Sequence, residues 1–285
     1  SANPNRTLIC YATKANANPT LLRLLREAGL GADVTSGGEL FLSQHAGFDP
    51  QTIIFSGVGK RRDEIEMALA ANIRALHVES AMELEQIAAI AQARQQVANV
   101  GVRVNPDIRP ETHPYISTGQ HSSKFGVPRE TAVSLLHHAA QHQWLNPVGI
   151  AAHIGSQIND IPPFVEAAQF LCQLANQLRD DGIPLAYVDV GGGLGIDYQS
   201  PTAPPLADWV TAVSAPVFAA GYQLVMEPGR SIVGPTGALL TSVVYTKQQK
   251  EKQFVIVDGG MNDLLRPTLY KAHHPILPLK QQATD

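Results

Sequence analysis

A lysine, a histidine, a run of glycines and a glutamate–arginine pair each stand where an apolar run of this sequence ends. The lysine is Lys14, in Tyr11-Ala12-Thr13-Lys14-Ala15-Asn16. Desolvation favours the neutral amine, so burial there is expected to lower its pKa and ready it for Schiff-base chemistry. His153 opens His153-Ile154-Gly155-Ser156-Gln157. Its flat ring can stack on an aromatic group, and the Ser156 hydroxyl just beyond can donate to an anion. Gly191, Gly192 and Gly193 follow Asp189-Val190 and bring bare backbone N–H groups close to a phosphate. Glu227-Pro228-Gly229-Arg230 offers a carboxylate for a protonated ring nitrogen and a guanidinium that grips a phosphate or carboxylate through two bonds. Each feature also has a plain structural reading: a lysine snorkelling at a rim, a histidine satisfied by a carbonyl, a tight turn, an ion pair closing a sheet.

The elements that must position these residues are short β-like runs alternating with helical periods. Eight runs lie at 8–12, 32–35, 53–56, 75–78, 100–105, 148–154, 187–190 and 224–227. Helix-period stretches lie at 18–28, 38–45, 61–71, 81–93, 129–142, 162–180 and 205–220. The alternation implies parallel strands with crossover helices, and the eightfold count predicts an α/β fold, a (β/α)8 barrel, rather than an open sheet. In such a barrel the residues named above fall at the carboxyl ends of strands, where the fold builds its active sites; the loops after the last two strands are its usual phosphate site. After Gly234 the strand-like runs 238–246 and 254–257 follow one another with no helix between them. The expected division is a cofactor-binding barrel over 1–234 and the beginning of a β-rich second domain over 235–285.

With 285 residues, 44% hydrophobic and 16% charged, the chain has the makings of a large core and not of a disordered tail. A net charge of −4 gives no footprint for nucleic acid or an acidic membrane. No apolar run reaches bilayer length and no signal pattern opens the chain, so a cytoplasmic protein is expected. Cys10 and Cys172 are too few for a disulfide framework or a zinc cluster and are expected as small buried hydrophobes. No metal site is expected: the neighbours His273 and His274 point apart in an extended loop, and His137, His138 and His142 share a solvated helix face. Lys60-Arg61-Arg62 is expected as a solvated charge cluster. The chain opens at Ser1, enters a strand almost at once and stops at Asp285 after a proline-containing loop, so a piece of a longer protein is expected.

An amine, a stacking ring, an anion cradle and an acid are together what pyridoxal phosphate requires, and one cause accounts for four features better than four coincidences. The segments 11–16, 153–157, 191–193 and 227–230 carry a resemblance, joined by Ser122-Ser123-Lys124-Phe125-Gly126 and Asp258-Gly259-Gly260-Met261-Asn262-Asp263. With Arg266-Pro267 and Leu269-Tyr270 they resemble the fold-type III pyridoxal-phosphate decarboxylases along essentially the whole chain. The resemblance implies that Lys14, His153 and Glu227 are the catalytic set. Lys14 would bond the cofactor, His153 would stack on its ring and Glu227 would keep the ring nitrogen protonated. Ser156, Gly192, Gly193, Gly229 and Arg230 would surround the phosphate. Arg230, Arg266 and Tyr270 would contact the distal carboxylate of an amino-acid substrate. Apart from the resemblance, residues 122–126 are expected as a mobile flap.

The reaction so implied is loss of CO2 from meso-2,6-diaminopimelate to give L-lysine, by a homodimer with the site at its interface. An acid facing the ring nitrogen favours decarboxylation; alanine racemases resemble this fold but set an arginine there. A decarboxylase of another amino acid or conjugate is the rival enzyme reading, and a non-catalytic regulatory homologue that binds the cofactor is the third. The family's later cysteine–acid pair and downstream tyrosine do not occur in this sequence.

Overall fold

The structure is a computed structural model that describes residues 6–108, 124–198 and 203–279; of the expected flap over 122–126, Ser122 and Ser123 lie outside them. The eight strands are β1 (Thr7–Ala12), β2 (Gly31–Val34), β3 (Ile53–Phe55), β4 (Ala75–Val78), β5 (Ala98–Arg103), β6 (Leu145–Ala151), β7 (Tyr187–Asp189) and β8 (Gln223–Met226). They pair in chain order, all parallel, and β1 also pairs with β8, with Thr7 opposite Leu224 and Ile9 opposite Met226. That last pairing closes the expected barrel.

Each strand leads into a helix: α1 (Pro19–Glu27), α2 (Gly37–His45), α3 (Arg62–Ala71), α4 (Ala81–Arg94), α5 (Arg129–Gln141), α6 (Pro162–Asp180), α7 (Leu206–Ala219) and the single turn α8 (Arg230–Val233). Several starts are written in the sequence. Asn18 caps α1 through bonds from the Thr20 and Leu21 amides, with Pro19 in the first turn, and Ser36 and Ser80 cap α2 and α4.

Parallel strands covered on both faces read as near-continuous apolar runs. Outward residues such as Val34, Phe55, Leu76 and Ile150 share one large cluster with Leu22, Leu40, Ile65 and Leu171 of the helices. Inward, a smaller cluster of Cys10, Ile54, Ala75, Tyr187 and Val225 fills the axis. At the carboxyl ends the interior turns polar: Asp33, Ser56, His77, Asp189 and Glu227 are all buried. Cys10 and Cys172 are free and buried, as expected.

Lys60 departs from the solvated cluster expected of it. Its ammonium is buried and donates to the Glu83 carboxylate at 2.7 Å, the His77 carbonyl at 2.6 Å and the Gly57 carbonyl at 2.7 Å. Three N–H groups meet three acceptors, which is what lets the charge leave water. Arg61 and Arg62 are exposed as expected.

Past the barrel, β9 (Val243–Gln249) and β10 (Lys252–Val257) form an antiparallel hairpin followed by α9 (Arg266–Tyr270). The first of these strands starts later than its apolar run suggests: 237–242 carry no strand, and of them Ser242 bonds to Asp258 just past the end of β10. Among the described residues no helix is long and apolar enough to cross a membrane.

Candidate active site

Lys14 sits in a tight turn directly after β1, its side chain half exposed at the barrel rim. Its position is set from the residue before it. The Thr13 hydroxyl lies 2.7 Å from Glu39 Oε2 and 2.9 Å from the Asp33 carbonyl oxygen, and the Ala12 amide donates to the Pro228 carbonyl at 3.0 Å. Lys14 Nζ is 3.3 Å from Asp33 Oδ2. The Asp33 carboxylate raises the lysine's pKa, against burial, and Glu227 adds to the rise. The expectation of a lowered pKa is thus corrected: an open rim and an adjacent carboxylate keep the free amine charged.

Glu227 follows β8 and is buried, its amide bonded to the Gly191 carbonyl at 2.8 Å. Its Oε1 accepts from the Ser56 hydroxyl at 3.2 Å. Burial pushes its carboxyl well up, and Asp189 and Asp33 push the same way. Asp189 accepts from the Gly191 amide at 2.8 Å, and burial raises its carboxyl to about 7. Two acids this close in a closed space hold one proton between them into the neutral range.

His153 follows β6. Its Nδ1 accepts from the Gly192 amide at 3.2 Å, and burial, then Arg103 and Lys14, hold the ring well below its ordinary pKa. A neutral ring with Nδ1 accepting carries its proton on Nε2. Gly191 and Gly193 have φ of 69° and 105°, which glycine adopts without strain. A Cβ at Gly192 or Gly193 would run into the Glu227 or Gly155 carbonyl, so this loop packs flat against the ends of β6 and β8.

Arg230, the first residue of α8 after Gly229, donates from one terminal nitrogen to Tyr198 Oη at 2.8 Å and from the other to Ser156 Oγ at 3.2 Å. Arg266, which opens α9, donates to the same Tyr198 oxygen at 2.8 Å. Its guanidinium stacks over the Tyr198 ring at 5.2 Å and lies 6.0 Å from the Tyr270 ring centre. Desolvation and the neighbouring Arg230 lower the Arg266 pKa. Among the described residues neither guanidinium has a carboxylate partner. His274, expected as a bystander in a loop, packs edge-on against Tyr198 at 5.4 Å and lies 3.5 Å from Arg266.

The sequence-predicted residues therefore gather in two groups. Lys14, His153, Gly192, Gly193 and Glu227 ring the mouth of the barrel; Ser156, Arg230, Arg266 and Tyr270 are linked through Tyr198. Sequence reasoning passed over Asp33, Ser56, His77, Asp189 and Tyr198. A charged residue inside a four-residue buried strand, as in Gly31-Ala32-Asp33-Val34, was the available signal, since neither face of a barrel strand offers it water.

A closed parallel barrel with a lysine at its first strand and an acid at its last is the architecture of a known enzyme class. The family model described as pyridoxal-dependent decarboxylase, pyridoxal binding domain, matches residues 2–234, and the chain belongs to that family. Among characterised relatives it is similar to the diaminopimelate decarboxylase of Aquifex aeolicus, 45% identical over 96% of this chain and 65% of that protein. The corresponding Helicobacter pylori protein is 45% identical over 95% of this chain and 67% of its own length. The chain thus spans about two thirds of the relatives it matches. In structure it resembles Helicobacter pylori diaminopimelate decarboxylase complexed with L-lysine, with a TM-score of 0.94 over 98% of this chain and 70% of that one at 45% identity. Lysine decarboxylase from Selenomonas ruminantium follows at a TM-score of 0.81 and 27% identity, over 94% of this chain and 68% of that one.

The residues present fit pyridoxal phosphate. Among the described residues, Asp33 Oδ1 and Arg230 Nε are buried polar atoms with no partner, one beside the amine and one beside the Ser156 hydroxyl. A flat, side-chain-free loop and a neutral histidine lie between the lysine and the acid in chain order, and among the described residues the arginine has no anion.

Proposed function

We propose that this protein removes CO2 from meso-2,6-diaminopimelate to give L-lysine, with pyridoxal phosphate held at the mouth of the barrel. The observation that carries the substrate is the convergence of Arg230 and Arg266 on one phenol oxygen, with no acid for either cation among the described residues. Two unpaired guanidiniums brought together by a neutral acceptor make a site for a carboxylate. A distal ammonium would need an acid there instead. Arg230 reaches both Ser156 and Tyr198, so it joins the phosphate side of the site to the substrate side.

Bound there, the cofactor supplies an aldehyde for an amine and a ring that takes up the electron pair left by CO2. Lys14 supplies the resting amine, and Asp33 holds it as an ammonium whenever it is released. His153, neutral and fixed by the Gly192 amide, presents a flat face for stacking. Ser156, Gly192, Gly193, Gly229 and Arg230 surround the phosphate position. Glu227, half of a carboxyl pair that retains one proton, faces the ring nitrogen and keeps its proton in place. Arg266 and Tyr270 hold the far carboxylate, which selects the substrate's length and end group.

The proposal includes the barrel over 1–234 as the cofactor-holding unit, 235–285 as the start of a β-rich domain, and a homodimer acting in the cytoplasm. The family resemblance supports these, and the exposed apolar side chains of Val243, Tyr245 and Val255 suit a surface that further chain covers. The test is CO2 release by the full-length protein with diaminopimelate, L-lysine and L-ornithine, alongside the visible spectrum with pyridoxal phosphate. A cofactor band lost in Lys14→Ala, and turnover of diaminopimelate far faster than that of L-lysine or L-ornithine, is the expected result. Faster turnover of lysine or ornithine would overturn the substrate assignment, and a band unchanged in Lys14→Ala would overturn the site.

A further inference from the structure

The barrel interior carries a line of buried polar groups that the proposed chemistry does not use. Tyr187 of β7, His77 of β4 and Ser56 after β3 lead to Glu227 after β8. Tyr187 Oη is 2.9 Å from His77 Nε2, His77 Nδ1 is 3.4 Å from Ser56 Oγ, and Ser56 Oγ is 3.2 Å from Glu227 Oε1. His77, Asp189 and Glu227 each offer an atom within 4.8 Å of the others.

The far end of the line sets its direction. The buried Tyr187 hydroxyl has one acceptor in reach among the described residues, His77 Nε2, and leaving a buried O–H unmade is costly. Tyr187 therefore donates and Nε2 is bare. Burial first, then Lys60, Arg103 and Arg74, hold His77 neutral with a pKa of about 3. A neutral imidazole with a bare Nε2 carries its hydrogen on Nδ1, which donates to Ser56. Ser56 has only its own hydrogen left, and gives it to Glu227 Oε1. The reverse order would protonate Glu227 on that oxygen and strand the Tyr187 hydrogen.

Two glycines make room for this line. A Cβ at Gly149 of β6 would enter the Tyr187 ring, and one at Gly101 of β5 would come within 2.7 Å of the His77 ring and 3.0 Å of Tyr187 Oη. Glycine inside a strand weakens it by about 0.5–1 kcal/mol, so two at these positions mark a space kept for something else.

We propose that Tyr187, His77 and Ser56 are positioning residues whose hydrogen bonds run one way into Glu227, holding Oε1 as an acceptor and the carboxylate in a single orientation. The importance of that orientation rests on the role given to Glu227 above; the hydrogen-bond order itself does not. Asp33, Lys14 and Arg103 face the carboxyl pair, and Cys10 and Arg74 face it from the Tyr187 side. None of these donates to Glu227 Oε1 among the described residues, so Ser56 alone fills that place.

The test is nitrogen-15 NMR of histidine-labelled whole protein freed of cofactor, with the His77 signal assigned by its loss in His77→Gln. A neutral ring protonated on Nδ1 throughout the neutral range is expected; a proton on Nε2, or an imidazolium, overturns the proposal. A second measurement follows the buried carboxyls by infrared titration in Ser56→Ala. Loss of the donor shifts their titration to higher pH, and an unmoved curve overturns the role of Ser56. Absence of a cofactor band when pyridoxal phosphate is added back to the unsubstituted protein would sink the proposed function while leaving the tautomer result standing.

Discussion

Replacing Arg266 by leucine tests whether the paired guanidiniums select the substrate. Arg266 is part-buried, shares Tyr198 Oη with Arg230 and has no acid beside it among the described residues. A carboxylate seated about 4 Å from a guanidinium gains about 4 kcal/mol at an effective dielectric near 20. Partial exposure halves that, leaving about 2 kcal/mol, or about 30-fold at roughly 1.4 kcal/mol per factor of ten. The assay is steady-state kcat/KM of the full-length protein for diaminopimelate and for L-lysine, which lacks the distal carboxylate. Arg266→Leu should lower the first about 30-fold and leave the second unchanged or higher. An equal fall for both substrates would refute the reasoning, because the arginine would then be supporting the site rather than reading the substrate. Tyr198→Phe removes the oxygen that both cations share, and should weaken the same substrate by a smaller factor.

Asp189 binds its proton more tightly folded than unfolded, with a folded value of about 7, so folding is favoured most below the ordinary Asp value. Stability should fall as pH rises from there to about 7, and Asp189→Asn should flatten the urea midpoint across that window. Asp33→Asn removes the main cause of the raised Lys14 pKa, and should lower the pH at which cofactor capture reaches half its limiting rate. Gly149→Ala drives a methyl into the Tyr187 ring and should cost about 1–3 kcal/mol in denaturant titration. Lys60→Met leaves the Glu83 carboxylate without its buried cation, and should cost about 3–5 kcal/mol by the same measurement.

The barrel was legible because its period is a property of the chain alone. Strands covered on both faces need apolar runs, and the helices between them need 3.6-residue spacing, so β4 and α6 fall on their expected residues. Their ends were less so. β5 starts two residues before its apolar run because Ala98 finds the Trp144 carbonyl as a partner, which only the neighbouring strand can supply. In the site, Lys14, His153, Glu227 and the glycines could be picked out because they sit where a run stops. Asp33 and His77 lie inside a run, so the cost of burying a polar group was their one local mark, and their partners come from strands far away in sequence. Tyr198 was invisible for a further reason: it matters only through two arginines, one in the barrel and one past it. Lys60 was misread because a charge before a helix is normally solvated, and nothing local announced Glu83 and two carbonyls around it.

Pairing β1 with β8 has a consequence for how the protein is made. Lys14 precedes Glu227 by more than two hundred residues, yet that seam brings the two within electrostatic reach of each other. At ~5–20 residues per second a ribosome needs about 10–40 s to deliver the second after the first. Through that interval the lysine is an ordinary amine on an unfinished sheet, with no acid opposite and no arginine to receive a phosphate. On the proposed function, chain closure is therefore also a timing device: the last barrel strand to be synthesised is the one that would turn a generic lysine into a place where a reactive aldehyde is kept.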